Sequence, residues 1–564
     1  MRRERKEMAD YLKLKTSNCK NCYKCIRNCP VKSIAFSQDQ ANILGDECIL
    51  CGQCFVACPQ NAKEIRKDIG KAKELIESGA PIYVSLAPSF VANYHKVTLA
   101  SMRRALTSLG FSEVEETAIG ATIVKKEYER MLEQDIDKVM ISSCCHTVNL
   151  LIQKYYPLAI PYLAPVITPM EAHCRDIKRR HPESKTIFIG PCISKKEEGE
   201  RYKGYVDCVL TFEELTLWLN EEDIHLEYIE EEQDEGRARF FPVAGGILKT
   251  MDQREEYAYL AVDGIKNCTR AIEDIIDGKI TKCFVEMSAC NGSCIGGPGM
   301  DREDSLPIRD YIAIKSYAKK KDFNIEVQDT NRLRRSFASC SRQRVAISNL
   351  AIEEVLNKIG KTRPEHELNC GSCGYNTCRD KARAVLEGKA NLAMCLPYLK
   401  EKAESFSDII IKNTPNAIIV LNESFEVQQI NGAALELLKL KNEQDILGDQ
   451  VVRILDPTPF FEAYQKGQNT FEKLAYLADY GRYVEQTVIY DKSNRVLISL
   501  MKDVTEEVRQ RENKEALSRR TIEITDKVIE KQMRAVQEIA SLLGETTAET
   551  KIALVNLKEL LNNE

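Results

Sequence analysis

Two runs of cysteines near the start of the chain share one spacing, C-x2-C-x2-C-x3-C-P. The first run comprises Cys19, Cys22, Cys25 and Cys29, and the second comprises Cys48, Cys51, Cys54 and Cys58. This spacing is typical of [4Fe–4S] ligands, and the fourth cysteine of each run binds the cluster of the other run. We therefore expect Cys58 to complete the first cluster and Cys29 to complete the second. Two zinc sites are the alternative, but zinc usually takes its ligands as two pairs.

Three later segments place further cysteines beside residues that suit a larger inorganic group. They read ISSCCH at 141–146, GPCISKKEE at 190–198 and FVEMSACNGSCIGGPGM at 284–300. Cys290 and Cys294 stand four residues apart, so their two thiolates can hold one cluster. The glycines that follow let the backbone approach a bulky group without a side-chain clash. The three segments together therefore predict a metal-cluster site.

Each of these segments contains or follows a short apolar run that we interpret as a buried strand. The predicted strands are 138–142, 185–189 and 283–287, and another at 81–86 precedes Pro88 and Ser89. In open α/β sheets, ligands bind at the carboxyl ends of the strands. We therefore predict an α/β domain in which the cysteines converge on one site.

A fourth cysteine pattern, C-x2-C-x4-C-x16-C, lies nearer the C-terminus. It is formed by Cys370, Cys373, Cys378 and Cys395. The pattern resembles the small [4Fe–4S] domain of electron-transfer and corrinoid iron–sulfur proteins, with zinc as the alternative. The remaining cysteines are expected to be small core residues, as free cysteines usually are. They are Cys174, Cys208, Cys268, Cys283 and Cys340.

The segments at 141–146, 190–198 and 284–300 together resemble the signature loops of the [FeFe] hydrogenases, over residues 80–355. The two N-terminal runs resemble a two-cluster ferredoxin. The resemblance implies an H-cluster, in which a [4Fe–4S] subcluster joins a [2Fe] subsite with CO, cyanide and dithiolate ligands. Cys294 would bridge the two parts. The implied ligands of the [4Fe–4S] subcluster are Cys145, Cys192, Cys290 and Cys294.

The same resemblance implies roles for side chains around the diiron group. Lys195 matches the lysine that donates to one cyanide, and Pro191 precedes the ligand loop that carries it. Pro88 and Ser89 match the loop that meets the other cyanide. Cys144 matches the thiol that passes protons to the bridgehead amine. The alternative is a plain [4Fe–4S] site, as in eukaryotic relatives of this domain, which would leave Lys195 and Cys144 without a function.

Several positions depart from the pattern of the catalytic [FeFe] hydrogenases. Ser288 stands where those enzymes have a methionine, and His146 stands where they have a proline. The serine of their proton path aligns with Ala164, and the glutamate after their paired glycines aligns with Lys249. A general acid needs a connected partner for each transfer, so we predict slower turnover or another proton route. The glutamates nearest to the expected relay positions are Glu127 and Glu129.

Residues 404–505 contain neither cysteine nor histidine and carry a pattern of short strands. The predicted strands are 417–421, 426–430, 470–478, 483–490 and 496–501. Asn431 is expected to cap a helix over 432–440. This order resembles a PAS domain. Without cysteine a light-driven flavin adduct is excluded, and without histidine a His-ligated haem is disfavoured, so the PAS ligand stays unknown.

Residues 506–543 form one long helical pattern. Apolar residues recur in it every seven positions, at Ile522, Ile529, Val536 and Leu543. A sustained heptad predicts a coiled coil and therefore a homodimer. A helix folded onto its own chain is the alternative. No kinase or phosphatase motif follows, so we expect a downstream kinase or phosphatase on a separate chain.

The amino-acid composition limits the classes of protein to which the chain can belong. The 564 residues include 80 Lys and Arg against 85 Asp and Glu, a net charge of −5 that gives no sign of a nucleic-acid surface. No apolar run is long enough to span a membrane, and no signal peptide is recognised. The 22 cysteines then favour metal over disulfide, and we expect a cytoplasmic protein of an anaerobe.

The sequence predicts a multidomain chain of the α/β and α+β classes. Its parts are a ferredoxin-like domain (1–66), the H-cluster domain (80–355), a small [4Fe–4S] domain (356–400), a PAS domain (404–505) and a helical tail (506–564). We predict a sensory [FeFe] hydrogenase of low turnover that acts on H2 and protons and uses three accessory [4Fe–4S] clusters. A metabolic hydrogenase linked to a ferredoxin-like partner is one alternative. An iron–sulfur electron-transfer protein without diiron is the other.

Overall fold

The computed structural model describes residues 11–134, 139–231, 235–301, 307–326, 329–341, 346–467, 469–543 and 548–562. The chain divides into two compact units, Met1–Tyr398 and Leu399–Glu564. None of the described helices is both long enough and apolar enough to cross a membrane.

The N-terminal domain is built from two antiparallel strand pairs. Strand β1 (Leu12–Leu14) pairs with β4 (Lys63–Ile65), and β2 (Ile34–Ser37) pairs with β3 (Gln40–Ile43). Two short helices carry a cysteine each, α1 (Lys24–Asn28) with Cys25 and α2 (Gln53–Val56) with Cys54. Because the first strand pairs with the last, the two cysteine runs are brought side by side.

The next domain contains a parallel sheet of four strands in the order β6-β5-β8-β9. Its strands are β5 (Ile82–Leu86), β6 (Glu113–Glu116), β8 (Lys185–Gly190) and β9 (Cys208–Thr211). Both β8 and β9 are buried along almost their whole length. A parallel sheet covered on both faces has this property.

A second parallel sheet in the same domain has three strands in the order β10-β11-β7. They are β7 (Met140–Ile141), β10 (Ala258–Asp263) and β11 (Cys283–Ser288). The strands predicted before the cysteine segments are thus confirmed, although Lys138 lies outside the described residues. They belong to two sheets and not to one, because β7 pairs with β11 while β5 pairs with β8.

Helices cover both sheets. They are α3 (Ile69–Glu77), α4 (Phe90–Asn93), α5 (Leu99–Ser108), α6 (Thr117–Gln134), α7 (His146–Tyr155), α8 (Pro169–Arg180), α9 (Ser194–Arg201), α10 (Phe212–Glu221), α11 (Gly246–Thr250), α12 (Ile265–Ile276), α13 (Pro307–Tyr317) and α14 (Thr330–Leu333). Helices α6 and α8 pack closely, since a Cβ on Gly120 would lie 2.2 Å from the carbonyl oxygen of Pro169. Such a contact leaves room only for glycine.

The last part of the first unit is a small helical domain. Helices α15 (Asn349–Lys358) and α16 (Cys378–Leu386) pack around a core that includes Ile352, Leu356 and Cys395. The Ser348 and Thr377 hydroxyls accept hydrogen bonds from the first turns of these helices, as N-caps do. Helix α17 (Leu396–Asn413) starts at the residue after Cys395.

The second unit contains an antiparallel sheet of five strands in the order β13-β12-β16-β15-β14. The strands are β12 (Ala417–Asn422), β13 (Val427–Ile430), β14 (Thr470–Leu477), β15 (Arg482–Asp491) and β16 (Val496–Asp503). Two helices, α18 (Gly432–Leu437) and α19 (Thr458–Lys466), belong to the same unit. Asn431 caps α18 as predicted, because its Oδ1 accepts from the backbone nitrogen of Ala434 at 2.9 Å.

Two helices end the described chain. The predicted long helix is confirmed as α20 (Thr505–Leu543), and α21 (Ala548–Asn562) follows it. Nζ of Lys558 lies 3.4 Å from Oδ1 of Asp526, so α21 contacts α20. This contact agrees with a helix that folds onto its own chain. The coiled coil stays a prediction.

Candidate functional site

The eight N-terminal cysteines line two separate cavities. The outer thiol group comprises Cys19, Cys22, Cys25 and Cys58. The inner thiol group comprises Cys29, Cys48, Cys51 and Cys54. Cys22 is exposed, whereas three members of the inner group are buried. The structure therefore brings the fourth cysteine of each run to the first three of the other run.

The central thiol group comprises Cys145, Cys192, Cys290 and Cys294, which come from three loops. Cys145 precedes α7, Cys192 lies between β8 and α9, and the other two follow β11. Desolvation raises the pKa of Cys290 well above its ordinary value, and the thiolates of Cys192, Cys145, Cys294 and Cys51 raise it further. These thiols, with Cys51 of the inner group, are therefore close enough for their charges to interact.

Close backbone contacts hold these loops together. A Cβ on Gly297 would lie 2.6 Å from the carbonyl oxygen of Pro191, and one on Gly296 would lie 2.0 Å from that of Asn291. The Pro191 oxygen also accepts from the backbone nitrogen of Gly299 at 2.9 Å. Gly297 is thus required by packing between two loops and Gly296 by packing within its own loop, a reason different from the predicted approach to an inorganic group.

A buried carboxylate orients Lys195 beside the central thiol group. Lys195 Nζ donates to Oε2 of Glu198 at 2.6 Å and to the carbonyl oxygen of Cys144 at 3.4 Å. Thr168 and Arg335 donate to the other carboxylate oxygen of Glu198. Burial alone would raise the pKa of Glu198, but the positive charge of Lys195 is the main cause that lowers it to about 2. The pair is therefore ionised.

The predicted cofactor-binding residue Ser89 and the predicted catalytic residue Ser288 lie at the ends of strands. Ser89 is completely buried, and its hydroxyl has no hydrogen-bond partner among the described residues. A buried polar group of this kind needs a partner, so it suits an acceptor from a bound group. Ser288 is the last residue of β11, and its carbonyl oxygen accepts from Sγ of Cys268 at 3.3 Å.

The thiol of Cys144 contacts a tyrosine that sequence reasoning missed. Tyr128 Oη lies 3.3 Å from Sγ of Cys144, and the backbone nitrogen of Ser143 donates to it at 2.9 Å. Burial raises the pKa of Cys144 to about 12, although the Tyr128 hydrogen bond opposes the shift. The group is therefore a neutral thiol near neutral pH.

The residues at the usual relay positions are engaged elsewhere. Lys249 Nζ donates to the Tyr311 hydroxyl at 2.9 Å. The Glu127 carboxylate pairs with Arg130, and that of Glu129 accepts from the backbone nitrogen of Asp252. Ala164, a buried residue, has no polar side chain to offer. None of these four contributes a described hydrogen bond to Cys144.

Two further buried acids adjoin the loops and were not found from the sequence. The Glu197 carboxylate pairs with Nε2 of His146, and both side chains are buried. Glu286, on β11, accepts from the backbone nitrogens of Gly245 at 3.0 Å and Leu248 at 3.1 Å. Burial raises the pKa of Glu286 to about 7 despite these hydrogen bonds. The sequence did carry one signal for Glu286, because an acidic residue within an apolar strand is unusual.

The C-terminal thiol group comprises Cys370, Cys373, Cys378 and Cys395, which line one cavity together with Lys381 and Leu396. Of the cysteines expected in the core, four are indeed buried. These are Cys174, Cys208, Cys268 and Cys283. The expectation was wrong for Cys340, which is exposed, because it lies in an irregular segment where its thiol meets Arg201.

Comparison with known families assigns three of the domains. The profile of the iron only hydrogenase large subunit, C-terminal domain, matches residues 80–298. A 4Fe-4S dicluster domain profile matches residues 11–59. An Fe-S cluster profile matches residues 367–397. The matched ranges contain the outer, inner, central and C-terminal thiol groups.

Individual relatives are distant. The periplasmic [Fe] hydrogenase large subunit of Nitratidesulfovibrio vulgaris is 24% identical over 324 residues, 46% of this chain and 76% of that protein. Iron hydrogenase 1 of Clostridium pasteurianum is 22% identical over 286 residues, 40% of this chain and 50% of that protein. A solved structure of [FeFe]-hydrogenase HydA1 from Chlamydomonas reinhardtii matches at 16% identity with a TM-score of 0.40, covering 49% of this chain and 100% of that one.

The fold, the thiol groups and the family matches define an iron–sulfur protein with an iron-only hydrogenase domain. Residues 80–298 form a domain of the iron only hydrogenase large subunit family, preceded by a 4Fe-4S dicluster domain. The chain spans half the length of the clostridial relative.

Glu286 should make stability depend on pH. Its folded pKa of about 7 exceeds the ordinary 4.5, so the folded protein binds this proton more tightly than the unfolded chain does. Proton binding by Glu286 therefore contributes fully to the free energy of unfolding below pH 4.5. About 3 kcal/mol of this contribution is lost as the pH rises to about 7. Because Glu286→Gln cannot ionise, the Tm of the parent should fall relative to this variant between about pH 5 and 8.

Thermal unfolding followed by circular dichroism across that range checks this expectation. Glu353→Gln, which changes an exposed glutamate, is the matched control and should follow the parent curve. Parallel Tm curves for the parent and Glu286→Gln would contradict it.

Proposed function

We propose that this chain is a hydrogen-sensing [FeFe] hydrogenase of low turnover. The observation that carries the proposal is the grouping of four thiols from three loops with Lys195 and Cys144 beside them. A plain electron-transfer site has no need of an ammonium held by a buried carboxylate or of a buried neutral thiol.

The residues of the central site fit an H-cluster. Cys145, Cys192, Cys290 and Cys294 would hold its [4Fe–4S] part, and Cys294 would bridge to the diiron part. The H-cluster would supply the chemistry of heterolytic H2 cleavage and formation. Lys195 is oriented to donate a hydrogen bond to an anionic ligand such as cyanide. The buried hydroxyl of Ser89, which has no partner among the described residues, is suited to a second such ligand, with Pro88 and Pro191 shaping the loops.

Cys144 is the residue proposed to move protons to and from the diiron group. Tyr128 extends it, because its hydroxyl lies within hydrogen-bond distance of both the thiol and Oγ of Ser143. Ser288, Ala164 and Lys249 replace residues of the catalytic relatives. Each proton transfer needs a connected donor and acceptor, so we expect transfer through Cys144 to be slow.

The outer, inner and C-terminal thiol groups would each hold an accessory [4Fe–4S] cluster. A filled chain would then contain roughly 18 iron atoms, of which about 16 belong to [4Fe–4S] cubes. Their sixteen ligands are the cysteines of the four thiol groups.

The side chains of Lys20 and Lys24 line the outer cavity beside the exposed Cys22. These positive charges suit an acidic redox partner such as a ferredoxin.

The second unit would receive the signal. The order of its five strands, 2-1-5-4-3 along the chain, supports a PAS domain, and α20 follows its last strand directly. The heptad of α20 supports a homodimer. A kinase or phosphatase on a separate chain is the proposed receiver, and the PAS ligand is left open. The 22 free cysteines support a cytoplasmic setting.

A metabolic hydrogenase is the second candidate, supported by the lysines around the exposed Cys22. In that case H2 turnover would be fast and the second unit would serve assembly or docking. The two candidates therefore differ in rate and in whether gas alters the second unit.

Cys144→Ala should separate proton transfer from cofactor binding. Because Cys144 is proposed to carry protons and not to ligate iron, the variant should keep the infrared bands of the loaded diiron group. It should lose hydrogen turnover by about 100-fold or more. Hydrogen uptake and infrared spectra of the loaded protein measure the two effects.

Two controls belong to this test. Cys145→Ala, which removes a proposed ligand, should lose the central cluster and its bands. Cys174→Ala, which removes a buried thiol of the core, should retain turnover. Full turnover in Cys144→Ala would reject its role in proton transfer.

Hydrogen should change the second unit if the chain is a sensor. A ligand shifts a conformational equilibrium only through different affinity for the two states, and slow turnover lets those states persist. We therefore predict different amide-hydrogen exchange within 404–543 under H2 and under inert gas. Cys145→Ala should show no gas dependence. High turnover together with identical exchange in both gases would leave the metabolic candidate.

A further inference from the structure

The half-buried Lys32 joins the ferredoxin domain to the small C-terminal cysteine domain. Lys32 Nζ donates to the carbonyl oxygens of Ile26, Arg27 and Gly374, each at 3.0 Å. An ammonium has three donors, so all three are used. Ile26 follows Cys25 and Gly374 follows Cys373 in the chain. One positive charge therefore connects the loops of two thiol groups.

Other contacts fix the same junction. Arg27 donates to the carbonyl oxygens of Gly371 at 3.2 Å and Ser372 at 3.3 Å. Lys389 pairs with Glu47 at 2.6 Å. A Cβ on Gly374, whose φ is +90°, would lie 2.9 Å from the side chain of Ile26. The two domains are thus joined by side-chain hydrogen bonds, an ion pair and the close approach of Gly374 to the Ile26 side chain.

Tyr375 lies beside Lys32 at this junction. Tyr375 is 3% exposed, and Nζ of Lys32 is 6.0 Å from the centre of its ring. Burial lowers the pKa of Lys32, while the thiolates of Cys29 and Cys373 act in the opposite direction. Lys32 also holds φ at 51°, a left-handed conformation uncommon outside glycine. Such strain persists where the surroundings determine the conformation.

We propose that Lys32 is a positioning residue for the C-terminal cluster: its ammonium holds the cluster loop against the ferredoxin domain and favours the reduced cluster. The inference rests on the proposed assignment of Cys370, Cys373, Cys378 and Cys395 as ligands of a [4Fe–4S] cluster.

The physical reason is electrostatic. Reduction adds one electron, so a cluster passes from the 2+ to the 1+ core charge and becomes more negative with its four thiolates. A nearby cation in a low-dielectric setting stabilises the more negative form. Oxidation of one H2 releases two protons and two electrons, enough to reduce two such clusters. The thiolate of Cys51 raises the pKa of Cys290 and that of Cys29 raises the pKa of Lys32, so the inner thiol group is within electrostatic range of both the central group and the Lys32 junction.

The C-terminal cluster site lies next to the start of the helix that leads to the second unit. Cys395 is followed at once by α17, whose residues continue to the first strand of the second unit. Leu396 lines the same cavity as the four thiols. A change of charge at this cluster therefore acts on the first turn of the helix that leads to the second unit.

The test measures the reduced fraction of the C-terminal cluster in the full chain, reconstituted anaerobically without the diiron group. Electron paramagnetic resonance spectra are recorded at fixed solution potentials. The signal that disappears in Cys370→Ala belongs to this cluster. In Lys32→Gln, which removes the charge but keeps a donor, the reduced-to-oxidised ratio should fall about tenfold, or ~59 mV for one electron.

Two variants control the result. Lys32→Arg keeps the charge and should retain the ratio of the parent. Lys13→Gln removes an exposed lysine of the same domain, whose ammonium makes no described contact with the C-terminal domain, and should also retain it. Equal ratios in Lys32→Gln and Lys13→Gln would overturn the proposal.

Iron analysis shows whether a variant has lost the C-terminal cluster itself. If Lys32→Gln loses about four iron atoms while Lys32→Arg keeps them and the parent ratio, the positioning role is supported. Loss in both variants would reject a role for the charge. A parent protein that shows no signal sensitive to Cys370→Ala would instead refute the proposed cluster assignment, independently of Lys32.

Discussion

The central site depends on close contact between loops that carry the thiols. Cys145 and the pair at 290 and 294 follow strands of one sheet, whereas Cys192 follows a strand of the other, so no single loop holds all four thiols together. The loops meet because Gly297 and Gly299 let their backbone touch Pro191. A similar contact of Gly52 with Pro298 brings the inner thiol group to the same place. Side chains at these glycines would separate the thiols.

Buried charge is the second constraint on the site. Lys195 and Glu198 are both buried and paired, so removing Glu198 would leave the charge of Lys195 uncompensated, a change that typically costs about 3–5 kcal/mol. Cys144, by contrast, is held neutral by burial. One side of the site is thus fixed and ionic, while the other can hold or release a proton through a neutral thiol. These surroundings explain why we expect substitutions of a cluster ligand, of the orienting pair Lys195 and Glu198, and of the proton carrier Cys144 to have different effects.

Local patterns made much of this predictable. The cysteine groups follow from spacing, and Glu198 lies three residues after Lys195 on one helix face, where side chains meet. Contacts between residues that are far apart in the chain left no such pattern in the sequence. Tyr128 reaches Cys144 from another element sixteen positions away, and Lys32 meets Gly374 across 342 positions. The division into two sheets was also hidden, because apolar runs predict strands but not which strands pair.

The central claim is that the four central thiols hold a diiron-bearing cluster. Infrared spectroscopy of the anaerobically loaded full chain tests it most directly, because CO and cyanide bound to iron absorb where protein does not. Bands of both ligands should appear in the parent and in Cys144→Ala and be absent from Cys294→Ala. A parent protein with a full complement of [4Fe–4S] iron and no such bands after loading would contradict the account and leave an electron-transfer protein.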